Sequence, residues 1–374
     1  MSGGDVSGLH GDRRRSAVTA AFPKEVFTEG DELYGRMLAE IGAARREVCL
    51  ETYIYCDDAV GRRFARALAE RAEAGVRVRL LVDAFGSLGC FPRALEDELR
   101  RTGVRVRRFH RWQWRNPLRY NRRDHRKLLV VDGQAAYLGG FNIHAESSRR
   151  AVGERRWRDT HVRFAGALAR DAAEQFDLFW YRRWRRHQPL RLPATDVLAG
   201  NHNAYARRRL RYFIDDILET ARRQVWLTTP YFVPDHAMQR RLVEAAGRGV
   251  DVRILVPGKN DIRLVRWASH AAYARLLGGG VRLFEYRPRL LHAKTVVADG
   301  EWSMVGTANL DYRSFRDNYE LNLISSDPAL CARLEESFRA DLRESIEVHP
   351  RRWQERHRLE HLAEAVGWFA RRWL

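Results

Sequence analysis

A membrane-spanning segment is the first thing missing from these 374 residues. Spanning takes about 18 or more consecutive apolar residues. The longest stretch free of Asp, Glu, Lys and Arg runs from Gly133 to Ala145, with Gln, Asn, His and glycines inside it. Any bilayer contact is therefore expected to be peripheral. Cysteine is scarce too: Cys49, Cys56, Cys90 and Cys331 complete the set. Their spacing suits neither a metal site nor a disulfide framework, so they read as small core or surface residues in a reducing compartment. Residues 1–23 lack the apolar stretch of a signal peptide and read as a disordered tail rich in Gly, Ser and Arg. Acidic residues fall short, 48 against 67 Lys+Arg, leaving a net charge of +19. That excess predicts a polyanionic partner, nucleic acid or an anionic membrane surface, and charge alone does not separate the two.

What the chain does have is a polar motif in duplicate. His125, Lys127 and Asp132 are spaced H-x-K-x-x-x-x-D, and His292, Lys294 and Asp299 repeat the spacing 167 positions later. Each copy leads into a strand-like run and then to an asparagine just beyond a glycine: Gly140 with Asn142, Gly306 with Asn309. The flanks repeat in the same order. Val48–Tyr55 matches Val225–Phe232, Gly75–Val82 matches Gly249–Val256, and Gly103–Val106 matches Gly280–Leu283. A shared order over this length marks a tandem duplication, with one site assembled from two related halves.

The local pattern predicts α/β architecture. Leu33, Tyr34, Met37, Leu38 and Ile41 share one helical face ahead of a strand at 47–55. A helix over about 61–74 closes at Gly75, as a C-terminal glycine should. Strands at 76–82 and 104–109 with a helix between them complete a βαβαβ rhythm. Runs 127–131 and 135–138 flank Asp132-Gly133, a hairpin signal. The second half repeats the plan from Tyr212 to about Ile324. We therefore expect two tandem α/β sandwich domains, 24–187 and 204–347, each with a mixed, largely parallel sheet and one site at their interface. Residues 188–203 read as the linker. The tail 348–374 reads as a basic helix with Leu359, Leu362, Val366, Phe369 and Trp373 on one stripe and Arg356, Arg371 and Arg372 beside it. Such a helix lies in a bilayer interface or docks on the protein's own core.

The motif chemistry points to a phosphodiester. Breaking one takes positive charge on the non-bridging oxygens, a nucleophile, and an acid for the departing alkoxide. Lys127 and Lys294 supply charge, with Asn142 and Asn309 as neutral donors. Histidine serves as nucleophile when neutral and as acid when protonated, its ordinary pKa being about 6.5. On an extended strand the H-x-K spacing puts both side chains on one face, roughly 7 Å apart. Asp132 and Asp299 fall at a turn beyond that strand, where they are expected to fix the hairpin. Asp159 and Glu320, each downstream of one motif, are candidates to orient the histidines; the plainer reading makes them strand-edge salt bridges.

These residues resemble the phospholipase D superfamily, whose signature is this duplicated HKD motif. The likeness runs from about Glu25 to Glu347. Glu51-Thr52-Tyr53-Ile54-Tyr55, Trp157-Arg158-Asp159-Thr160-His161, Thr229-Pro230-Tyr231-Phe232-Val233-Pro234 and Asp311-Tyr312-Arg313-Ser314-Phe315 make it most similar to the bacterial cardiolipin synthases. Without the two N-terminal spanning helices of the best-known members, it looks like the shorter B type. The resemblance implies a catalytic set of His125, Lys127, Asp132, His292, Lys294 and Asp299, with His125 as nucleophile and His292 as general acid and base. It implies a phosphatidyl-histidine intermediate and no metal or other cofactor. It implies phosphatidylglycerol as donor and acceptor, at the cytoplasmic face of the bacterial membrane. The aromatic and basic run Arg111–Tyr120, leading into His125, suits that surface better than nucleic acid. Hydrolysis by water and a nuclease of the same superfamily are the rival readings.

Overall fold

The computed structural model describes residues 23–110, 122–183, 196–259, 263–355 and 364–369. The first half runs β1 (Glu25–Phe27), α1 (Gly30–Ala43), β2 (Glu47–Thr52), α2 (Ala59–Glu73), β3 (Arg77–Asp83), α3 (Arg93–Arg101), β4 (Arg105–Phe109), β5 (Leu128–Val131), β6 (Ala135–Gly139), α4 (Arg149–Val152), β7 (His161–Ala165) and α5 (Ala167–Trp180). The second opens with β8 (Asp196–Gly200), α6 (Ala204–Thr220), β9 (Gln224–Thr228), α7 (His236–Gly247), β10 (Asp251–Pro257), α8 (Arg263–Gly278) and β11 (Arg282–Tyr286). It closes with β12 (Thr295–Ala298), β13 (Trp302–Gly306), α9 (Tyr312–Arg316), β14 (Leu321–Ser325), α10 (Pro328–Arg343), β15 (Ser345–Glu347) and α11 (Pro350–Gln354).

Two mixed sheets result, of seven and eight strands, ordered β1-β7-β6-β5-β2-β3-β4 and β15-β11-β10-β9-β12-β13-β14-β8. Parallel pairing is confined to β2–β3–β4 and β9–β10–β11, where helices make the crossovers. Every other pairing is antiparallel. The sheets are thus mixed but not largely parallel. Three-residue turns at 132–134 and 299–301 close the hairpins β5–β6 and β12–β13, and these hairpins join β2 and β9 from the other side. The expected linker is corrected as well, because 196–200 form an edge strand beside β14 and α6 begins at Ala204.

Apolar spacing explains the helices. Leu33, Tyr34, Met37 and Ile41 are buried on α1, and Val60, Phe64 and Leu68 on α2. The Asp58 carboxylate caps α2 by accepting from the Val60 and Gly61 N–H groups, and Gly75 beyond its end takes φ 84°. Each half has its own apolar core. A third core lies between them, joining Phe109, Leu128, Leu138 and Phe179 of the first half to Val305, Tyr319, Leu323 and Leu334 of the second. Buried ion pairs cross the same boundary: Arg158 makes a bidentate pair with Asp341 at 2.9 and 2.8 Å. Trp353 on α11 packs against the Tyr273 ring, and Gly367 sits on the Trp267–Ala268 backbone of α8. The last described segment is therefore docked on the protein, while Val366 and Phe369 stay 50 % and 75 % exposed. The tail 1–22, the run Arg111–Tyr120, Leu359, Leu362, Trp373 and Arg356, Arg371 and Arg372 lie outside the described residues.

The duplication extends to hydrogen bonds. Asp132 and Gly133 take φ 53° and 64°, and Asp299 and Gly300 take 54° and 69°. Both turns thus have the left-handed pair of a type I′ hairpin. The Asp132 carboxylate accepts from the Arg45, Arg46 and Glu47 N–H groups at 2.7–2.9 Å. Asp299 accepts from Arg222, Arg223 and Gln224 at 2.8 Å. Each aspartate pins the start of a central strand to a hairpin. Asp132→Ala and Asp299→Ala are each expected to cost about 0.5–2 kcal/mol, the usual loss for a carboxylate capping backbone N–H groups. Urea unfolding with an unchanged slope measures this, and an unmoved midpoint would show that the corner holds without the carboxylate.

Candidate active site

Both H-x-K segments end one residue before a strand, β5 or β12, and both lie where the halves meet. Two parallel backbone bridges cross that boundary, Asp124 to Tyr319 and Arg158 to Leu291. The first is tied by the His125 N–H donating to the Tyr319 carbonyl at 3.0 Å, the second by the His292 N–H donating to the Arg158 carbonyl at 2.7 Å. Each bridge sets a histidine of one half beside the next residue of the other half, Glu320 or Asp159.

The orienting carboxylates are consequently exchanged. His125 Nδ1 lies 3.0 Å from Glu320 Oε2 and 3.1 Å from the Thr307 carbonyl. His292 Nδ1 lies 2.5 Å from Asp159 Oδ2. Both histidines are at most 7 % exposed, and both carboxylates 1 %. Asp159 and Glu320 are therefore not strand-edge salt bridges with surface arginines. Burial pushes the His125 imidazole down to about 4, with Glu320 opposing. Burial, aided by Lys294 and opposed by Asp159, pushes His292 down to about 3. Burial alone would raise Asp159, but Lys294 and His292 outweigh it and hold the carboxyl below its usual range. The free site thus holds neutral imidazoles that donate from Nδ1 to carboxylates. This tautomer leaves the Nε2 lone pair available on each ring.

The lysines sit beside them. The Lys127 ammonium donates to the His125 carbonyl at 2.6 Å and lies 5.2 Å from the Tyr53 ring centroid, against which the His125 ring also packs at 5.0 Å. His125 and Lys127 thus share a face as their spacing predicts, although the segment precedes the strand. Arg126 between them turns away to Glu51 at 3.1 Å. Lys294 Nζ donates to the His292 carbonyl and lies 2.8 Å from His292 Nδ1. Burial, and then Lys294, push the Lys127 ammonium down to about 7. Two cations held together in a dry site form a receptor for an anion.

Asn142 and Asn309 are buried next to these segments. Asn142 Oδ1 accepts from the Ile54 N–H at 3.0 Å, so only its NH2 end can serve a phosphate. The Asn309 N–H donates to Ser314 Oγ at 3.0 Å. Asp132 and Asp299 do not join the histidines; they hold the turns beyond β5 and β12.

Sequence reasoning passed over a group of supporting residues. Thr307 Oγ1 donates to Glu320 Oε2 at 2.6 Å, and Ser314 Oγ donates to Glu320 Oε1 at 2.9 Å. The Asn201 side chain accepts from the Glu320 N–H at 2.7 Å and donates to the Ser314 and Asn318 carbonyls. In the first half Gly140 stands where Thr307 stands in the second. A Cβ at Gly140 would come within 1.9 Å of Asp159 Oδ1, so that carboxylate approaches bare backbone. Setting Gly140 against Thr307 in the repeat alignment was the available signal.

Comparison with known proteins follows this geometry. The family described as "Cardiolipin synthase, PLD-like domain" matches residues 37–180 and 214–342, one segment in each half. Cardiolipin synthase A of Pseudomonas entomophila is 36 % identical over 352 residues, 92 % of this chain and 73 % of that protein. Cardiolipin synthase A of Pseudomonas aeruginosa is 35 % identical over 91 % of this chain and 71 % of that protein. These relatives carry the A designation and lend no support to the expected B type. Among solved structures, phosphatidylserine synthase of Haemophilus influenzae superposes with a TM-score of 0.70 at 15 % identity, over 92 % of this chain and 91 % of that one. Polyphosphate kinase of Porphyromonas gingivalis reaches 0.62 at 16 % identity, over 87 % of this chain and 48 % of that one. At such identities the two structures speak for the fold alone. The family match and the curated relatives agree with the paired motifs: the chain belongs to the PLD-like cardiolipin synthase family of phosphatidyltransferases.

Proposed function

We propose that the enzyme transfers a phosphatidyl group from phosphatidylglycerol to a second phosphatidylglycerol, yielding cardiolipin and glycerol. The observation that carries this reading is the crossed pairing of His125 with Glu320 and His292 with Asp159, with both lysines beside them. In the first step His125 Nε2 attacks phosphorus and the bond to the glycerol oxygen breaks. The His292 imidazolium gives its Nε2 proton to that oxygen. In the second step neutral His292 takes a proton from the acceptor hydroxyl, whose oxygen attacks phosphorus and displaces His125. The proton on His125 Nδ1 stays with Glu320 throughout, so charge and protons balance. Lys127 and Lys294 stabilise the non-bridging oxygens, and Asn142 and Asn309 serve as neutral donors. The work is placed at the cytoplasmic face of a membrane, without a metal and without nucleic acid as partner.

The two halves suggest which histidine does which task. Glu320 divides its charge among the Thr307 and Ser314 hydroxyls and His125. Asp159 has a shorter contact to His292 and one other close donor, the Thr160 N–H. Asp159 gives His292 the shorter contact, and with a proton taken up as the phosphodiester binds this ring serves as the acid, leaving His125 as nucleophile.

Phosphatidylglycerol vesicles incubated with wild type are expected to yield cardiolipin and glycerol. His125→Ala and His292→Ala should each lower turnover on the order of 10³-fold or more. Enzyme quenched with denaturant at neutral pH should carry the phosphatidyl label on His125 by mass spectrometry; label on His292 would reverse the roles. Phosphatidic acid as the product would make the enzyme a hydrolase. Cleavage of single-stranded DNA with no phospholipid turnover would end the lipid reading.

The pH profile tests the charges. Lys127 in the free enzyme loses its proton through about pH 7, and with it the attraction for a phosphodiester. Hence the fall of kcat/KM with rising pH is expected to steepen through about 7, and Lys127→Arg should remove that added step while leaving the shallower fall set by the His292 acid. Ser314→Ala, which removes one donor to Glu320, should raise the apparent pKa of His125 and cost up to roughly tenfold in kcat. Glu320→Gln should cost on the order of 10²–10⁴. Equal losses from the two substitutions would refute a positioning role for the serine.

A further inference from the structure

Five of the eight large apolar side chains exposed among the described residues gather in two places that the duplication relates. Phe85 and Leu88, 44 % and 69 % exposed, lie on the connection after β3. Trp267, 37 % exposed, lies on the helix α8 that follows the equivalent strand β10, and Val366 and Phe369 join it from the C-terminal segment docked there. Both places are at the carboxyl ends of parallel strands, the edge on which ligands enter open α/β sheets.

The first place adjoins the site directly. Gly86, between Phe85 and Leu88, lies so close to Tyr53 that a Cβ would come within 2.6 Å of its ring. That ring packs against His125 at 5.0 Å. On the second side, Val265 and Ala268 of α8 pack with Val233, and Tyr231 and Tyr312 lean on the same cluster. Tyr231 belongs to the Thr229–Pro234 stretch that repeats the segment holding Tyr53. Exposed basic residues flank the patches in sequence: Arg93 opens the helix after the first, and Lys259, Arg263 and Arg266 precede Trp267 in the second.

We infer that these two apolar patches with their basic flanks form the face by which the enzyme docks on an anionic phospholipid bilayer, bringing the mouth of the site to the headgroups. This deepens the lipid reading and rests on it. Charge selects the occupant. A second copy would set the same arginines against each other, whereas anionic headgroups complement them. The aromatic and aliphatic tips then enter the interface as the arginines meet phosphate.

Flotation with vesicles tests this, using the inactive His125→Ala protein throughout so that lipid is not consumed. On equimolar phosphatidylcholine and phosphatidylglycerol the protein should float, and on phosphatidylcholine alone it should float weakly. Phe85→Ser/Leu88→Ser and Trp267→Ser/Phe369→Ser, each added to that protein and each with an unchanged melting temperature, should weaken partition by about tenfold or more. Tyr212→Ser, an exposed apolar residue of α6 outside both patches, should leave it unchanged. Equal flotation of both double variants would overturn the proposal. So would loss of a dimer in light scattering on their introduction, which would make the patches a contact between copies. Because binding is read without turnover, failure of the transfer chemistry in the product assay leaves this result separately legible.

Discussion

Everything at the centre of this molecule depends on an exchange: each histidine is held by a carboxylate from the other half. Glu320 reaches His125 and Asp159 reaches His292. Neither half therefore holds a complete histidine–carboxylate pair. A buried imidazole without its acceptor loses its tautomer, and a buried carboxylate without its donor raises its pKa. Docking the halves satisfies both requirements together. The backbone bridges at Asp124–Tyr319 and Arg158–Leu291, the shared apolar core and the Arg158–Asp341 pair all maintain that docking. Small errors of interdomain angle would fall on the two histidine–carboxylate contacts, so the interface has to be rigid there.

The duplication is nearly symmetric in backbone and asymmetric in a few side chains. The turn aspartates, the strand orders and the bridges Tyr55–Ile143 and Phe232–Leu310 repeat. Gly140 and Thr307 do not. A glycine lets Asp159 lie against backbone, and a threonine at the same point gives Glu320 a hydroxyl donor. The longer glutamate also reaches Ser314, and Asn201 ties its backbone to the strand that opens the second half. One substitution in the repeat thus gives two equivalent histidines differently satisfied carboxylate partners.

Much of this was legible in the chain. The helix face of α1, the existence of α2 with its Gly75 closure, and the Asp-Gly hairpins followed from spacing and turn chemistry, because those depend on neighbours within a few residues. Duplication made one shared site the natural expectation, and the cardiolipin synthase family followed from the motifs. Three features were not legible, each for a long-range reason. The antiparallel majority of the sheets arises because the hairpins add to the far side of β2 and β9, a choice of sheet order rather than of local pattern. The strand at 196–200 pairs with β14 more than a hundred residues on, and without that partner it reads as linker. The exchange of carboxylates is a property of docking, and no spacing within one half encodes it. Asp132 and Asp299 were placed correctly at the turn by position, although the motif groups them with the histidines.

The charges at the site explain why it favours an anion over water. Lys127 is driven down to about 7 by burial and by its twin Lys294, and both histidines are held neutral. A phosphodiester arriving between them carries the one charge that relieves this repulsion. An anion there favours the ammonium and the imidazolium, so binding and proton uptake reinforce each other. A neutral alcohol or water entering first would gain nothing comparable. Under the proposed mechanism, the electrostatics of the free site therefore favours donor phosphate first and acceptor hydroxyl second.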